Sequence, residues 1–337
     1  MKYNFLGNTG IKVSELCLGT MTFGGKGYWT AIGQLQQHSV DDIMKRSFDA
    51  GINFIDTANV YSEGLSEELT GKAIRNLGLR RDDLIIATKV RGKMGDGPNE
   101  IGLSRKHIMQ QVDESLKRMN IDHIDLYQIH GYDALTPIED TIRTLDDLVK
   151  SGKVRYIGCS NLAAWQLMKA LAFSAHHNLA KFVSLQAYYT IAGRDLEREL
   201  IPLLNDQKVG LMVWSPLAGG FLSGKYSHHK NPEDARRINF DFPPVNKEKA
   251  FDIIEVMEPI AQSKNASVAQ IALAWLLYQP TVASVIIGAK NSEQLQSNLK
   301  AVDVVLTEGE LQKLNDVSKL TPEYPAWMLQ RQSVDRT

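Results

Sequence analysis

The chain has 337 residues, of which 43% are hydrophobic and 23% charged, and its formal net charge is −1. This balance is ordinary for a globular protein with a large core, and the scattered basic residues exclude the concentrated positive surface that binds nucleic acid or an anionic membrane. The start, MKYNFLGNTG, lacks the apolar core of a signal peptide, and the apolar run at 271–278 is too short to cross a bilayer, so we expect a cytoplasmic protein. Cys17 and Cys159 have neither metal-ligand nor redox spacing, and we expect two buried thiols.

Short apolar runs alternate along the chain with segments of helical period. After a hairpin over residues 3–13, the predicted strands are 15–21, 53–56, 84–90, 124–130, 154–160, 182–186, 210–215 and 283–288. The predicted helices are 39–50, 66–77, 104–120, 138–151, 163–175, 196–207, 247–264 with 268–278, and 292–301. Strict alternation indicates parallel strands joined by crossover helices. Eight such units predict an α/β fold: one (β/α)8 TIM barrel domain over 1–337, with the hairpin capping its bottom.

A doubly wound parallel sheet is the structural alternative. Such a sheet carries a glycine fingerprint after its first strand, where the chain offers GKGYWT at 25–30. That match lacks the third glycine, and no convincing helix follows it directly. The barrel is therefore the favoured prediction.

Four polar residues fall at one rim of the predicted barrel. Asp56 ends the second strand, Tyr61 lies in the loop after it, Lys89 is near the end of the third strand, and His130 ends the fourth. Each has an ordinary explanation alone: a turn acid, a surface tyrosine, a snorkelling lysine and a histidine satisfied by backbone. Because barrel active sites form at the carboxyl ends of the strands, ionisable residues closing three consecutive strands predict a catalytic site.

These four residue types suit proton transfer. A tyrosine acid working near neutral pH needs its pKa lowered by roughly 3 units, about 4 kcal/mol. A lysine ammonium about 4 Å away supplies roughly 4 kcal/mol at an effective dielectric of about 20. We expect Asp56 to hold Lys89 charged, and His130 to hydrogen-bond a substrate carbonyl.

Five segments in this order resemble the aldo-keto reductase family: GINFIDTANVYSEG at 51–64, SEELTGKAI at 66–74, IIATKV at 85–90, LYQIH at 126–130 and GCSN at 158–161. The resemblance covers essentially the whole chain, and WSPLAGGFLSGKY with GAKN is most similar to the branch of bacterial reductases and potassium-channel β subunits. It implies reversible reduction of aldehydes or ketones by NADPH, with hydride leaving the nicotinamide C4. It also implies Tyr61 as general acid, Lys89 and Asp56 as its tuning pair, and His130 as the residue that positions the carbonyl.

The resemblance further implies NADPH or NADP+ lying extended across the rim, with NADH left open. The implied contacts are Gly19, Thr20, Met21 and Asp56 at the strand ends; Ser160, Asn161 and Gln186 on the carboxamide; Trp214 on the nicotinamide ring; Ser215, Pro216, Leu217, Gly219, Lys225 and Arg236 around the pyrophosphate and its covering loop; and Gly288, Lys290, Gln294 and Asn298 at the adenosine end. Trp214 as core filler, and Lys225 and Arg236 as solvated loop charges, remain alternatives. Lys290 favours NADPH, whereas Ser297 stands where many relatives have a glutamate.

Aromatic loop residues are expected to wall the substrate pocket. The candidates are Tyr28, Trp29, Arg91 and Tyr132, with Tyr324, Trp327 and Met328 from the carboxyl tail. This lining favours hydrophobic or ring-bearing aldehydes and ketones as substrates. A nicotinamide-binding, redox-sensing regulatory subunit is the second functional hypothesis, and a metal-dependent or sugar-phosphate barrel enzyme is a third that lacks suitably spaced ligands, so we expect no metal.

Overall fold

The computed structural model describes residues 1–228, 237 and 241–334 of the chain. Its strands are β1 Tyr3–Phe5, β2 Lys12–Ser14, β3 Leu16–Gly19, β4 Phe54–Asp56, β5 Ile85–Val90, β6 Ile124–Ile129, β7 Val154–Ser160, β8 Phe182–Tyr188, β9 Gly210–Trp214 and β10 Val282–Ile287. The strands β3 to β10 close into a barrel in which neighbours run parallel and β10 pairs with β3. The prediction of a (β/α)8 barrel is confirmed.

Helices surround this barrel. They are α1 Gln37–Asp49, α2 Leu65–Asn76, α3 Arg105–Met119, α4 Ile138–Lys150, α5 Ala164–His176, α6 Leu200–Gln207, α7 Lys247–Ser263, α8 Val268–Leu277, α9 Ser292–Leu299, α10 Glu308–Ser318 and α11 Ala326–Ser333. The predicted helix at 196–207 starts late, because a short 3-10 turn over Asp195–Glu197 precedes α6. No helix in the part of the chain that the structure describes is long and apolar enough to cross a membrane.

The last two helices were missed by the sequence analysis. A capping box starts α10: the Thr307 hydroxyl accepts from the Glu310 backbone N–H at 3.3 Å, and the Glu310 carboxylate accepts from the Thr307 N–H at 2.7 Å. Thr-x-x-Glu is a sequence signal for a helix start and was available in the chain. In α11 no side chain is fully buried.

The amino-terminal hairpin closes the bottom of the barrel, as predicted. Strands β1 and β2 pair antiparallel, with Asn4 opposite Val13. Val13 and the adjoining Leu6 pack against Phe54, Leu126 and Met212 inside the barrel, and all of these side chains are buried. This end of the barrel is therefore a filled apolar core.

The upper end of the barrel interior has a different composition. Because successive side chains in a strand alternate between faces, residues two apart share a face, and Asp56 follows Phe54 as Gln128 follows Leu126. The register pairs Lys89 with Gln128, and Ser160 with Gln186. A polar layer thus lies inside the carboxyl ends of the strands.

Both cysteines are buried and unpaired, as predicted. Burial raises the pKa of the Cys17 thiol, with a further contribution from the charge on Asp56, and burial also raises the pKa of Cys159. Neither thiol is activated as a nucleophile.

Candidate active site

A buried ion pair forms the floor of the site. The Lys89 ammonium, completely buried, pairs with Oδ2 of Asp56 and donates to the Thr57 carbonyl at 2.9 Å. Burial acts to lower the pKa of Lys89, but Asp56 and the nearby Tyr61 together outweigh it, so that the pKa is raised. The ammonium is consequently charged across the neutral range.

Tyr61 lies directly above this ammonium. Its hydroxyl oxygen is 3.3 Å from Lys89 Nζ, and its ring contacts the rings of Trp29 and His130 edge-on, with centroids 5.1 Å and 5.7 Å away. Burial raises the pKa of Tyr61 and Lys89 lowers it, with the net direction upward. The expected lowering by Lys89 is therefore present but outweighed by desolvation, and the phenol keeps its proton.

His130 closes β6 beside this tyrosine. Its backbone N–H donates to the Val90 carbonyl at 2.9 Å, which continues the pairing with β5. Burial, followed by the charges of Lys89 and Arg91, lowers the pKa of His130 to about 3. The imidazole is therefore neutral at physiological pH, with one N–H to donate to an oxygen in the cavity.

The loop that carries Tyr61 is strained and pinned. Ser62 and Glu63 have φ of 49° and 56°, in the left-handed region that costs a residue with a side chain roughly 1–2 kcal/mol. The buried Ser62 hydroxyl donates to the Phe23 carbonyl and accepts from the Gly25 N–H, both at 2.9 Å. These bonds fix the turn that aims the phenol at Lys89.

A cavity of about 820 Å³ opens above the ion pair and Tyr61. Of the predicted residues, it is lined by Gly19, Thr20, Met21, Tyr28, Trp29, Asp56, Tyr61, His130, Ser160, Asn161, Gln186, Trp214, Ser215, Pro216, Leu217, Gly219, Lys225, Gly288, Lys290, Gln294 and Asn298. Lys89 is fully buried and does not itself line the cavity. The volume falls in the range of cavities that enclose small molecules.

The middle of this cavity offers a flat aromatic surface beside amide groups. The Trp214 indole N–H donates to Asn161 Oδ1 at 3.0 Å, which fixes the plane of the ring. Tyr188 contacts Trp214 with centroids 5.2 Å apart, and Phe242, which lines the cavity, stacks on it at 5.9 Å and 9°. A planar ring flanked by side-chain amides fits a nicotinamide and its carboxamide.

The far end of the cavity is polar and basic. Lys225 and Lys290 both line the cavity and are exposed, and Lys290 directly precedes Asn291, which accepts from the Gln294 backbone N–H at 2.9 Å at the start of α9. Asn298 reaches back to the Gly288 carbonyl at 3.3 Å. One lysine beside a helix N-terminus and a second lysine on the cavity wall provide a favourable environment for phosphate.

A buried arginine shapes the loop beside this end. Arg237 donates to the carbonyls of Ala218 and Pro243 at 2.6 Å and 2.8 Å. A side chain on Gly219, whose φ is 64°, would lie 2.4 Å from the Phe242 carbonyl oxygen. The predicted Arg236 lies outside the described residues, and its neighbour Arg237 was not singled out from the sequence.

Two residues predicted at the substrate, Arg91 and Tyr132, are not among those that line this cavity. Arg91 is exposed and donates through Nε to the Tyr132 carbonyl at 2.9 Å, while the Tyr132 ring packs edge-on against Trp165. The tail residues Tyr324, Trp327 and Met328 belong to the segment around α11 and are not among the residues that line the cavity. Tyr324 is 73% exposed.

Comparison with known proteins finds a matching family and several similar proteins. Residues 15–319 match the model of the Aldo/keto reductase family. A probable voltage-gated potassium channel subunit beta of Arabidopsis thaliana is 38% identical, over 96% of this chain and 99% of the relative. An uncharacterized oxidoreductase, YrpG, of Bacillus subtilis is 37% identical over 97% and 100%, and a versiconal hemiacetal acetate reductase of Aspergillus parasiticus is 34% identical over 94% and 96%.

The family match agrees with the barrel fold and with the residues found at its rim. The resemblance inferred from the five sequence segments is confirmed, and it extends over nearly the whole chain. Carbonyl reduction with a nicotinamide cofactor is the general chemistry of such proteins, and oxidoreductases are among the relatives. This chain belongs to the aldo/keto reductase family.

Proposed function

We propose that this protein is an NADPH-dependent reductase of aldehydes and ketones in which Tyr61 is the general acid. The observation that carries the proposal is the 3.3 Å approach of the Tyr61 hydroxyl to Lys89 Nζ, itself paired with Asp56, at the floor of the cavity. A buried cation is positioned there to stabilise the phenolate that remains when Tyr61 gives up its proton.

The residues divide the work of reduction as follows. A reduced nicotinamide, when bound, supplies a hydride to the carbonyl carbon. Neutral His130 donates a hydrogen bond to the carbonyl oxygen, and Tyr61, whose pKa is raised by burial, keeps its proton until negative charge develops on that oxygen. Charged Lys89 then offsets the charge left on Tyr61. Alcohol oxidation uses the same groups in reverse.

The donor set supports placing the cofactor across the rim. Ser160, Asn161 and Gln186 would hold the carboxamide and Trp214 would cover the nicotinamide ring, because all four line the same stretch of cavity. Lys225 and Lys290 would hold the phosphates at the other end, together with the polar side chains of α9. Lys290, beside the N-terminus of α9, favours the additional phosphate of NADPH over NADH.

The aromatic lining near Tyr61 supports uncharged, ring-bearing substrates. Trp29 contacts Tyr61, and Tyr28 contacts Trp29 with centroids 5.7 Å apart. Ile32 lines the same region. Such walls bind planar apolar groups better than charged ones.

Tyr61→Phe tests the proposal. The change keeps the ring and removes the acid, so turnover of aldehydes, ketones and quinones should fall roughly 10²–10⁴-fold, while NADPH affinity stays near wild type. NADPH consumption is followed by absorbance, with NADH as the alternative cofactor. Tyr3→Phe is the matched control, since this hydroxyl bonds the Gly51 carbonyl at the opposite end of the barrel.

A redox-sensing regulatory subunit is the second candidate, favoured by the relatives named as potassium channel subunits beta. In such a subunit, NADPH would bind tightly while turnover would be slow on every substrate. Retained turnover in Tyr61→Phe would reject the assigned acid, and the absence of nicotinamide binding would reject both functions.

A further inference from the structure

A buried glutamine lies inside the barrel next to the ion pair. Gln128 belongs to β6, has no exposed surface, and pairs in register with Lys89 on one side and Gly158 on the other. A side chain at position 158 would lie 3.1 Å from Gln128 Cγ and 2.6 Å from Ser184 Oγ, so glycine leaves room for this amide. A fully buried amide in a barrel interior is costly unless it is hydrogen-bonded.

The Gln128 amide is hydrogen-bonded to two side chains of the site. Its Nε2 donates to Asp56 Oδ1 at 3.0 Å, and its Oε1 accepts from Gln186 Nε2 at 3.3 Å. Gln186 Nε2 also donates to Asp56 Oδ1, at 2.8 Å. The three side chains form a closed triangle, with Lys89 on the other oxygen of the carboxylate.

This triangle fixes which way the Gln186 amide faces. Both N–H groups of Gln186 are used inside the triangle, which leaves its Oε1 for the cavity. Rotating the amide by half a turn would set Oε1 against the Asp56 carboxylate and the Gln128 oxygen. Three acceptors in contact without a proton between them are strongly unfavourable.

We propose that Gln128 is a positioning residue that couples the proton-donating pair to the cofactor site. Gln128 holds the Gln186 oxygen toward the cavity, where that oxygen would accept an N–H from the nicotinamide carboxamide. Gln128 also disperses the negative charge of Asp56. The inference rests on the proposed reductase function and deepens it. No substrate atom touches Gln128.

Dispersal of the Asp56 charge by Gln128 should change the pKa of Tyr61 in a defined direction. Asp56 raises the pKa of Tyr61 and Lys89 lowers it. Removing the Gln128 N–H concentrates charge on Asp56, so Tyr61 should hold its proton more tightly. The basic limb of the pH profile for carbonyl reduction, where Tyr61 loses the proton that it must donate, should then move to higher pH.

Gln128→Leu and Gln128→Glu test the coupling by two readouts. Gln128→Leu leaves the Gln186 amide held by its bond to Asp56 alone and should weaken NADPH binding about tenfold, the loss of one oriented hydrogen bond, as measured by quenching of tryptophan fluorescence. It should also move the basic limb upward. In Gln128→Glu a protonated carboxyl replaces the N–H donor at low pH, so activity should approach wild type there and decline as the new acid ionises.

Gln279→Leu is the control, because Gln279 is a half-buried amide that donates to the Trp275 carbonyl at 3.0 Å just before β10, at the opposite end of the barrel from the ion pair. It should leave affinity and the pH profile unchanged. Wild-type NADPH affinity and an unmoved pH profile in Gln128→Leu would overturn the proposal, as would a pH-independent loss in Gln128→Glu. Such results would leave the reductase itself standing, since that depends on Tyr61→Phe, and circular dichroism identifies any variant that fails to fold.

Discussion

The two ends of the barrel interior are built from the same strands with opposite chemistry. On β4 the inward residues are Phe54 and then Asp56, and on β6 they are Leu126 and then Gln128. One step of two residues along a strand, roughly 7 Å, separates an apolar layer from a layer of charges and amides. The polar layer at the rim thus rests on an apolar layer, whose contribution is to stability.

The energetics of the two layers differ in sign. Each large apolar side chain in the lower layer contributes roughly 1.5–3 kcal/mol by leaving water. Burying Asp56 and Lys89 costs several kcal/mol per ion, which their attraction and hydrogen bonds offset only in part. A pair placed there for stability alone would be better replaced by hydrocarbon, so its presence agrees with a catalytic use.

The largest expected effect comes from Lys89→Met. The variant leaves the Asp56 carboxylate buried without its cation, which should lower the free energy of unfolding by roughly 3–5 kcal/mol. Carbonyl reduction should fall by at least roughly 10³-fold, because nothing then stabilises the Tyr61 phenolate. Urea unfolding and steady-state NADPH consumption measure the two losses.

Two further variants separate stability from chemistry. Phe54→Ala in the lower layer should cost roughly 3–5 kcal/mol of stability while the folded fraction keeps its turnover. Asp56→Asn combined with Lys89→Met removes both charges and should recover much of the stability without the activity. If the double variant were as unstable as Lys89→Met, the cost would lie in packing and the contrast between the layers would not hold.

The barrel and the meeting of Asp56, Tyr61, Lys89 and His130 at its rim were predictable because each strand carries its own signal. An apolar run that ends in Asp56, Lys89 or His130 marks both a strand and its functional end, and all of these residues meet at one rim. The Gln128 contacts were harder to foresee. A glutamine in LYQIH is conspicuous among apolar neighbours, but only the register of β6 between β5 and β7 shows that it reaches Asp56.

Loop conformations account for most of the structural features that the sequence did not predict. Arg91, expected near the substrate, has a φ of 145° and donates to the Tyr132 carbonyl, a loop contact that no residue pattern specifies. Phe242 lies against Trp214 across a long separation in sequence. Such contacts depend on where a loop returns, which local propensity does not encode.

The neutral state of His130 predicts a pH effect on stability. Its pKa is about 3 in the folded protein, below the value of about 6.5 in the unfolded chain. The unfolded chain therefore binds the extra proton between these values, and the contribution is fully present above pH about 6.5 and lost as pH falls below it. The loss should be at most about 1.4 kcal/mol per pH unit.

His130→Gln tests this effect, because glutamine keeps a donor and does not titrate. The difference in unfolding free energy between wild type and His130→Gln should change steadily from pH 7 to pH 5 as measured in urea. His123→Gln is a control for a histidine that already pairs with Asp122 at 2.7 Å on the outside of the barrel. A constant difference between wild type and His130→Gln would mean that folding does not lower the pKa of His130, so that the imidazole gains its proton over the same pH range as in the unfolded chain.

The smallest expected effect concerns the backbone strain of the upper end. Glu63 is exposed with φ of 56°, so Glu63→Gly should relieve strain and raise the free energy of unfolding by about 0.5–1 kcal/mol, net of the greater freedom of glycine in the unfolded chain. The same change at Glu68, exposed in α2, should lower it by about 1 kcal/mol. Both are measured by urea unfolding.

Turnover measurements show whether the backbone strain at Ser62 and Glu63 serves to position Tyr61. Since the turn over Ser62 and Glu63 follows Tyr61 directly, a relaxed peptide lets the phenol drift from Lys89, and small misplacements of a reacting group are costly. Glu63→Gly should therefore gain stability while losing turnover a few-fold, whereas Phe54→Ala loses stability and keeps turnover. A gain in both would show that the upper end is strained without benefit. A gain in stability with a loss of turnover would mean that strain at the rim lowers stability and holds Tyr61 in place, while the lower layer provides the stability of the barrel.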